Sequence, residues 1–190
     1  MQKKLPKIYC FVYEFNLSEL SKLGRDISVI YRNYNNIDHL DNILKLKKFC
    51  KKSKNEFYLS NNFKLAVRLG LSGVYIPSFN KKINYGGAYS LPKYFKIIGS
   101  AHNPSEIIIK QKQNCHKVFL SPIFKVNKSK HFLGVSKFNL IALTSQIDCI
   151  ALGGINQKNF KKIKLLRSKG FASTSWAKKN GLKKLGRFKI

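Results

Sequence analysis

Residues 148–176 hold two short apolar runs, and each opens into groups able to bind an anion. The first, Asp148-Cys-Ile-Ala-Leu152, leads into Gly153-Gly154. Neither glycine carries a Cβ, so their backbone N–H groups can come close to a phosphate. The second, Gly170-Phe-Ala172, leads into Ser173, Thr174 and Ser175. Three hydroxyls there stand at the mouth of a predicted last helix, whose positive backbone end also favours an anion. A Gly-Gly pair alone is equally a plain strand-to-helix turn. Two such loops in succession make a phosphate pocket the better reading, because parallel β/α folds gather their ligands at these strand ends. Arg32 closes another apolar run, where a strand-end side chain faces the same region. His102 stands at a helix entry, and Lys125, Lys128 and Lys130 form a basic loop. The plain alternatives are a hydrogen-bonding histidine and a solvated loop. His39, His116 and His131 lie in separate segments without metal-ligand spacing.

The elements that must position these residues alternate strand and helix. Strands are expected over 7–14, 26–32, 56–60, 73–77, 95–101 and 118–124, followed by the two runs above. Helices are expected over 16–23, with leucines at helical spacing, and over 37–51, where Leu40, Ile43, Leu44, Leu46 and Phe49 share a face. Asn61 or Asn62 caps a third helix, and Asn103-Pro104 opens another. A further helix spans 136–145. Residues 78–94 have poor helix chemistry, so the fourth helix is expected to be short or replaced by a loop. Eight strands, each followed by a helix or its remnant, predict a compact (β/α)8 TIM barrel forming a single domain over residues 1–190. An open doubly wound sheet has the same periodicity and is the alternative.

Composition bounds the function classes. With 190 residues, 44% of them hydrophobic, the chain suits a globular domain with a substantial core. No apolar run approaches a membrane span and no signal-peptide core follows the start, which points to a cytoplasmic protein without a membrane partner. Cys10, Cys50, Cys115 and Cys149 are scattered, as expected in a reducing compartment. Thirty-seven Lys plus Arg face eight Asp plus Glu, a formal charge of +29. Such a charge favours non-specific polyanion binding. The lysines are spread over nearly every segment, however, and no nucleic-acid-binding motif accompanies them.

Taken in order, the motifs resemble the thiamine phosphate synthase/TenI superfamily. Val29-Ile-Tyr-Arg32 looks like its second strand, and Phe57-Tyr-Leu-Ser-Asn-Asn-Phe-Lys-Leu-Ala66 like its third strand and asparagine-rich turn. Gly73-Val-Tyr-Ile-Pro77 is similar to the fourth strand, and Ile98-Gly-Ser-Ala-His-Asn-Pro-Ser-Glu106 to the Ser-x-His motif. Phe119-Leu-Ser-Pro-Ile-Phe124 resembles the strand before the pyrophosphate loop. Ile150-Ala-Leu-Gly-Gly-Ile155 resembles the Gly-Gly-Ile motif, and residues 170–175 the last phosphate loop.

The resemblance implies a TIM barrel that joins a pyrimidine diphosphate to thiazole phosphate and releases pyrophosphate. It implies catalytic roles for Ser100, His102 and Lys130, and substrate contacts from Arg32, Asn61 and Lys128. Phosphate binding falls to Gly153, Gly154, Thr174 and Ser175. The lysine of the sixth loop could be Lys128 or Lys130. Synthases of this kind hold Mg²⁺ through carboxylates after strands three and four, places that here hold Asn61 and a residue near Phe79 or Asn80. An amide is a poor Mg²⁺ ligand, so no resident metal is expected, and Mg²⁺ would enter with the substrate pyrophosphate. TenI-type members lack those carboxylates and isomerise a thiazole phosphate by proton relay, work suited to His102. A TenI-like tautomerase, or a catalytically silent phosphate-binding barrel, is therefore the second expectation. A polyanion-binding protein on a borrowed barrel is the third.

Overall fold

The computed structural model describes residues 7–24, 27–34, 39–83, 91–127 and 129–172. Eight parallel strands close into a barrel in chain order. They are β1 (Lys7–Val12), β2 (Ile27–Tyr31), β3 (Phe57–Ser60), β4 (Gly73–Ile76), β5 (Lys96–Ala101), β6 (Lys117–Leu120), β7 (Asp148–Leu152) and β8 (Gly170–Ala172). Each strand pairs with its neighbour in sequence, and β1 closes on β8 through Lys7 opposite Gly170. The open-sheet alternative is thereby removed.

Strand periodicity of two divides the core. Tyr9, Phe11, Ile30, Tyr58, Tyr75, Ile98, Phe119, Ile150 and Ala172 fill the barrel interior. Phe11, Tyr75 and Phe119 form a plug across its middle, with Phe11 and Tyr75 edge to face at 5.3 Å. The alternate residues face outward and pack in two clusters beneath the helices: one holds Cys10, Val29, Leu59 and Val74, the other Val118, Leu120, Cys149 and Phe171. All four cysteines are buried, free thiols, and burial pushes Cys50 and Cys115 up to about 12.

The helices are α1 (Leu17–Leu20), α2 (His39–Ser53), α3 (Phe63–Arg68), α4 (Pro104–Lys112) and α5 (Gly134–Thr144), with a 3-10 helix at Phe160–Leu165. Their starts follow cap chemistry. The Asn16 side chain accepts from Glu19 N–H, Asn62 from Leu65 N–H, and Asn103 from Glu106 N–H with Pro104 behind it. No helix intervenes between β4 and β5 among the described residues; residues 84–90 of the stretch expected to carry a short helix or a loop lie outside them. The sixth strand is shorter than its apolar run: it ends at Leu120, before a cis Ser121–Pro122 bond. Ile123 and Phe124 instead donate to Leu152 O and Gly153 O, tying the β6 loop to the β7 loop.

Candidate functional site

The C-terminal ends of the strands form one rim, and the inward positions of β1 to β7 bring most of the expected residues to it. Arg32 follows β2, and its guanidinium lies 4.8 Å over the Phe11 ring and 5.3 Å over Tyr13. It also donates from Nη2 to the Tyr13 hydroxyl. Burial works against the Arg32 charge, yet the bond with Tyr13 prevails and raises its proton affinity. Asn33 donates to Tyr13 O at 2.9 Å, and the Tyr34 hydroxyl meets Ser60 Oγ at 2.8 Å. Tyr34 in turn stands edge-on to Phe79, 5.7 Å between ring centroids. The second strand end is thus a cation held among exposed aromatic rings.

Ser100, two residues after Ile98 on β5, is buried beneath the rim, and its Oγ accepts from the Tyr75 hydroxyl at 2.9 Å. Burial raises the pKa of that phenol, so it stays protonated and serves as a donor. His102 is exposed one turn higher. Its Nδ1 lies 2.8 Å from Ser121 O and its Nε2 3.2 Å from Ser78 Oγ. A carbonyl only accepts, so Nδ1 carries the proton in the neutral ring and Nε2 is left as acceptor and base. The backbone is fixed as well: His102 N–H, one residue before the α4 cap Asn103, donates to Glu106 Oε2 at 2.8 Å, while Glu106 N–H donates to Asn103 Oδ1.

Gly153 and Gly154 follow β7 with φ +92 and +73, two left-handed residues in succession. At Gly154 a Cβ would lie 2.4 Å from Phe124 O, so the β6 loop already requires a glycine there. Gly153 O accepts from Phe124 N–H, and Gly154 O from Asn159 Nδ2 at 2.7 Å. Neither glycine N–H donates to a partner among the described residues.

Asn61 and Asn80 meet at the ends of β3 and β4, where Asn80 Nδ2 donates to Asn61 Oδ1. Asn61 adopts φ +59 and the cap of α3 falls to Asn62. Two amides engaged with each other do not suit Mg²⁺, which prefers anionic oxygens in octahedral array. Among the described residues no group of three His, Cys, Asp or Glu side chains could hold a metal ion.

Lys130 lies exposed in the loop after β6, beyond a Val126–Ser129 bridge, and the hydrogen bonds described above for Ser100 and His102 do not include it. Lys128, Thr174 and Ser175 lie outside the described residues. The sequence reading passed over Tyr13, Tyr75, Ser78 and Ser121, which orient the residues it named. For Tyr13 and Tyr75 the signal was present, since each continues the inward alternation of its strand.

Lys110 was missed entirely. It is fully buried on α4 and donates to Pro77 O, Asn80 O and Gln113 Oε1 at 2.8, 2.9 and 2.9 Å. Gln113 adds bonds to Asn80 O and Lys82 O. Burial pushes the Lys110 ammonium down to about 8. Together the two side chains hold the β4 loop, and with it Asn80, against the barrel.

A family model described as thiamine monophosphate synthase matches residues 18–176. A thiamine-phosphate synthase of Prochlorococcus marinus subsp. pastoris is 30% identical over 137 residues, which cover 70% of this chain and 38% of the relative. Another, from Prochlorococcus marinus, is 25% identical over 151 residues, covering 78% of this chain and again 38% of the relative. The chain therefore spans well under half the length of these curated relatives. Among solved structures, a thiamine phosphate pyrophosphorylase from Pyrococcus furiosus superposes with a TM-score of 0.72 at 16% identity, covering 89% of this chain and 85% of that one. One from Bacteroides thetaiotaomicron gives 0.62 at 19% identity, covering 98% and 100%. At these identities the structural matches speak for the fold. No helix among the described residues is long and apolar enough to cross a membrane.

Proposed function

The chain belongs to the thiamine monophosphate synthase family, and from that premise we propose that it is a thiamine phosphate synthase-type transferase of thiamine biosynthesis. The reaction joins a pyrimidine diphosphate to thiazole phosphate and releases pyrophosphate. The observation that carries this reading is the gathering of Arg32, Ser100, His102 and the Gly153-Gly154 amides at one end of the barrel, in the family's order along the chain.

In this reading the glycine amides, with Thr174 and Ser175, receive the phosphate of the thiazole. Arg32, Ser100 and a lysine of the sixth loop, Lys128 or Lys130, hold the leaving pyrophosphate. The protein's contribution is positioning and stabilisation of the departing charge. Magnesium, when present, neutralises part of that charge. The amide pair Asn61–Asn80 is a poor host for it, and any such ion would come with the substrate's own phosphates. Four buried free thiols suit a reducing, cytoplasmic setting.

A TenI-like tautomerase is the second reading, and two observations favour it. His102 has its Nδ1 proton committed to Ser121 O, leaving Nε2 as a base, and no carboxylate stands at the ends of β3 and β4. Thiamine phosphate formation from both substrates, measured with Mg²⁺ and with a chelator, tests both readings. The proposal expects product, with modest dependence on the metal. Isomerisation of the thiazole phosphate without coupling supports the second reading. Turnover of neither substrate overturns both.

A further inference from the structure

A cavity of about 810 Å³ opens at the N-terminal end of the strands, opposite the rim. The aromatic plug of Phe11, Tyr75 and Phe119 separates the two ends. Tyr9 and Tyr58 form the inner surface of this lower cavity, and Tyr9 stands edge-on to Phe119 at 5.1 Å. The charged groups at the strand starts, or just before them, are Lys7, Glu56, Lys96, Lys117 and Asp148, and His116 and Ser168 add further donors and acceptors to the lining. Gly170 brings no side chain from β8, and a Cβ there would lie 2.2 Å from Lys7 O, so the glycine lets β1 close against β8. Lys164 and Lys169 add two ammonium groups at the edge, and Phe160, Ile163 and Leu166 form an apolar wall.

Five lysines thus face two carboxylates. One of the two is already committed. Glu56 takes Lys7 at 2.9 Å and Lys96 at 2.7 Å, and accepts from Ser28 and Tyr58, both at 2.9 Å. Lys117, by contrast, makes no ion pair among the described residues, and neither do Lys164 and Lys169. Burial lowers the Lys117 pKa; Asp148 opposes this, and the charges of Lys7 and Lys96 reinforce it. The N-terminal face of such a barrel ordinarily serves stability, and stability alone favours balanced charge, not an excess of one sign in a concave site. An anion relieves the crowding. Its size is bounded by the cavity, which falls in the range of small-molecule sites.

We propose that this lower cavity is a second ligand site, distinct from the rim, that binds a small organic phosphate. Lys117, Lys164 and Lys169, which make no ion pair among the described residues, take the phosphate dianion, and the Phe160–Ile163–Leu166 wall takes the apolar group attached to it. Lysine suits this ligand because each ammonium is a compact charge with several donors, able to meet a tetrahedral anion from different sides. A single carboxylate would leave most of the excess charge unmet.

Phenyl phosphate tests the proposal, titrated into the ¹⁵N-labelled full-length chain, with inorganic phosphate and phenol as parallel arms. The expected result is a saturable set of amide shifts at Lys117, Ser168 and Gly170, with phenyl phosphate binding more tightly than either part alone. Lys117→Gln combined with Lys169→Gln weakens those shifts by about tenfold or more. Lys164→Gln combined with Lys169→Gln changes two exposed residues and weakens binding in the same direction without disturbing the strands. Lys48→Gln with Lys52→Gln, on the exposed side of α2, removes the same charge and leaves binding unchanged. The proposal is overturned if the shifts fall only on rim amides such as Gly153 and Gly154. It is equally overturned if they fail to saturate, or if the α2 pair weakens them as much as the cavity pairs do.

Discussion

Replacing Glu56 by Gln isolates the electrostatics of the lower barrel. Burial alone would raise this carboxyl above its ordinary value near 4.5, but hydrogen bonds from Lys96, Lys7 and Tyr58 outweigh it and hold the group at about 2. A carboxyl depressed in the folded state stabilises fully above its unfolded pKa, and the contribution is lost as pH falls through the folded value. The difference corresponds to an upper bound of about 3 kcal/mol at neutral pH. The side chain is 27% exposed and its lysine partners more so, which brings the expectation to about 2–3 kcal/mol after screening. Urea unfolding at pH 7 should therefore show Glu56→Gln less stable by that amount. At pH 3 the gap should shrink to about half or less, because the unfolded carboxyl is by then protonated. A gap as wide at pH 3 as at pH 7 refutes the electrostatic origin and leaves packing as the cause. The same substitution removes the carboxylate that neutralises Lys7 and Lys96, so phenyl phosphate should bind the lower cavity more tightly.

At Gly154, alanine meets both a left-handed φ and the Phe124 carbonyl, and thermal unfolding should report a loss of about 3 kcal/mol or more; a change under about 1 kcal/mol shows that the β6 loop yields freely. Lys110→Met leaves Pro77 O and Gln113 Oε1 without their donor, partly offset by the release of a buried charge, for a net loss of about 1–3 kcal/mol in urea unfolding. An unchanged or raised stability refutes the anchoring role of that lysine. Asn61→Asp keeps the acceptor for Asn80 and adds a charge at the rim, so turnover should come to depend more strongly on Mg²⁺; no change in the metal response removes Asn61 from the metal question.

Barrel topology was legible because strand alternation is local. Tyr9 and Phe11, Ile30, Tyr58, Tyr75, Ile98 and Phe119 all point inward as a period of two requires. The rim was legible for the same reason, since Ser100 keeps that alternation within β5, and Arg32 and His102 continue it past the ends of β2 and β5. What escaped depends on closure. Lysines 7, 96 and 117 look like any others in a chain with 37 basic residues until the barrel brings them to one cavity. Lys110 sits on a short helix where a lysine ordinarily faces solvent, and it is buried because the β4 loop folds over it. The choice between Asn61 and Asn62 as cap turned on one backbone angle, φ +59 at Asn61, which no propensity fixes. The sixth strand looked longer than it is because Ile123 and Phe124 are buried, yet their N–H groups bind the β7 loop instead of a strand.

The placement of carboxylates along the barrel axis connects the two ends. Among the described residues, the acids that face the interior are Glu56 and Asp148, both at the N-terminal end. At the other end Glu14 is exposed beside Tyr13, and Glu106 is engaged by the His102 amide in the helix cap. The rim therefore presents a guanidinium, an imidazole, amides and, without a partner among the described residues, the Gly153 and Gly154 N–H groups, a set suited under the proposed function to phosphate oxygens more than to a dication. Had Glu56 and Asp148 stood at the rim, the lysines around them would be surplus charge with no structural purpose. At the lower end Glu56 binds Lys7 and Lys96, while Lys117, Lys164 and Lys169 make no ion pair among the described residues. Under the proposed function and the proposed second site, anion recognition is the common chemistry of both mouths, set at the rim by backbone and arginine and at the base by lysine.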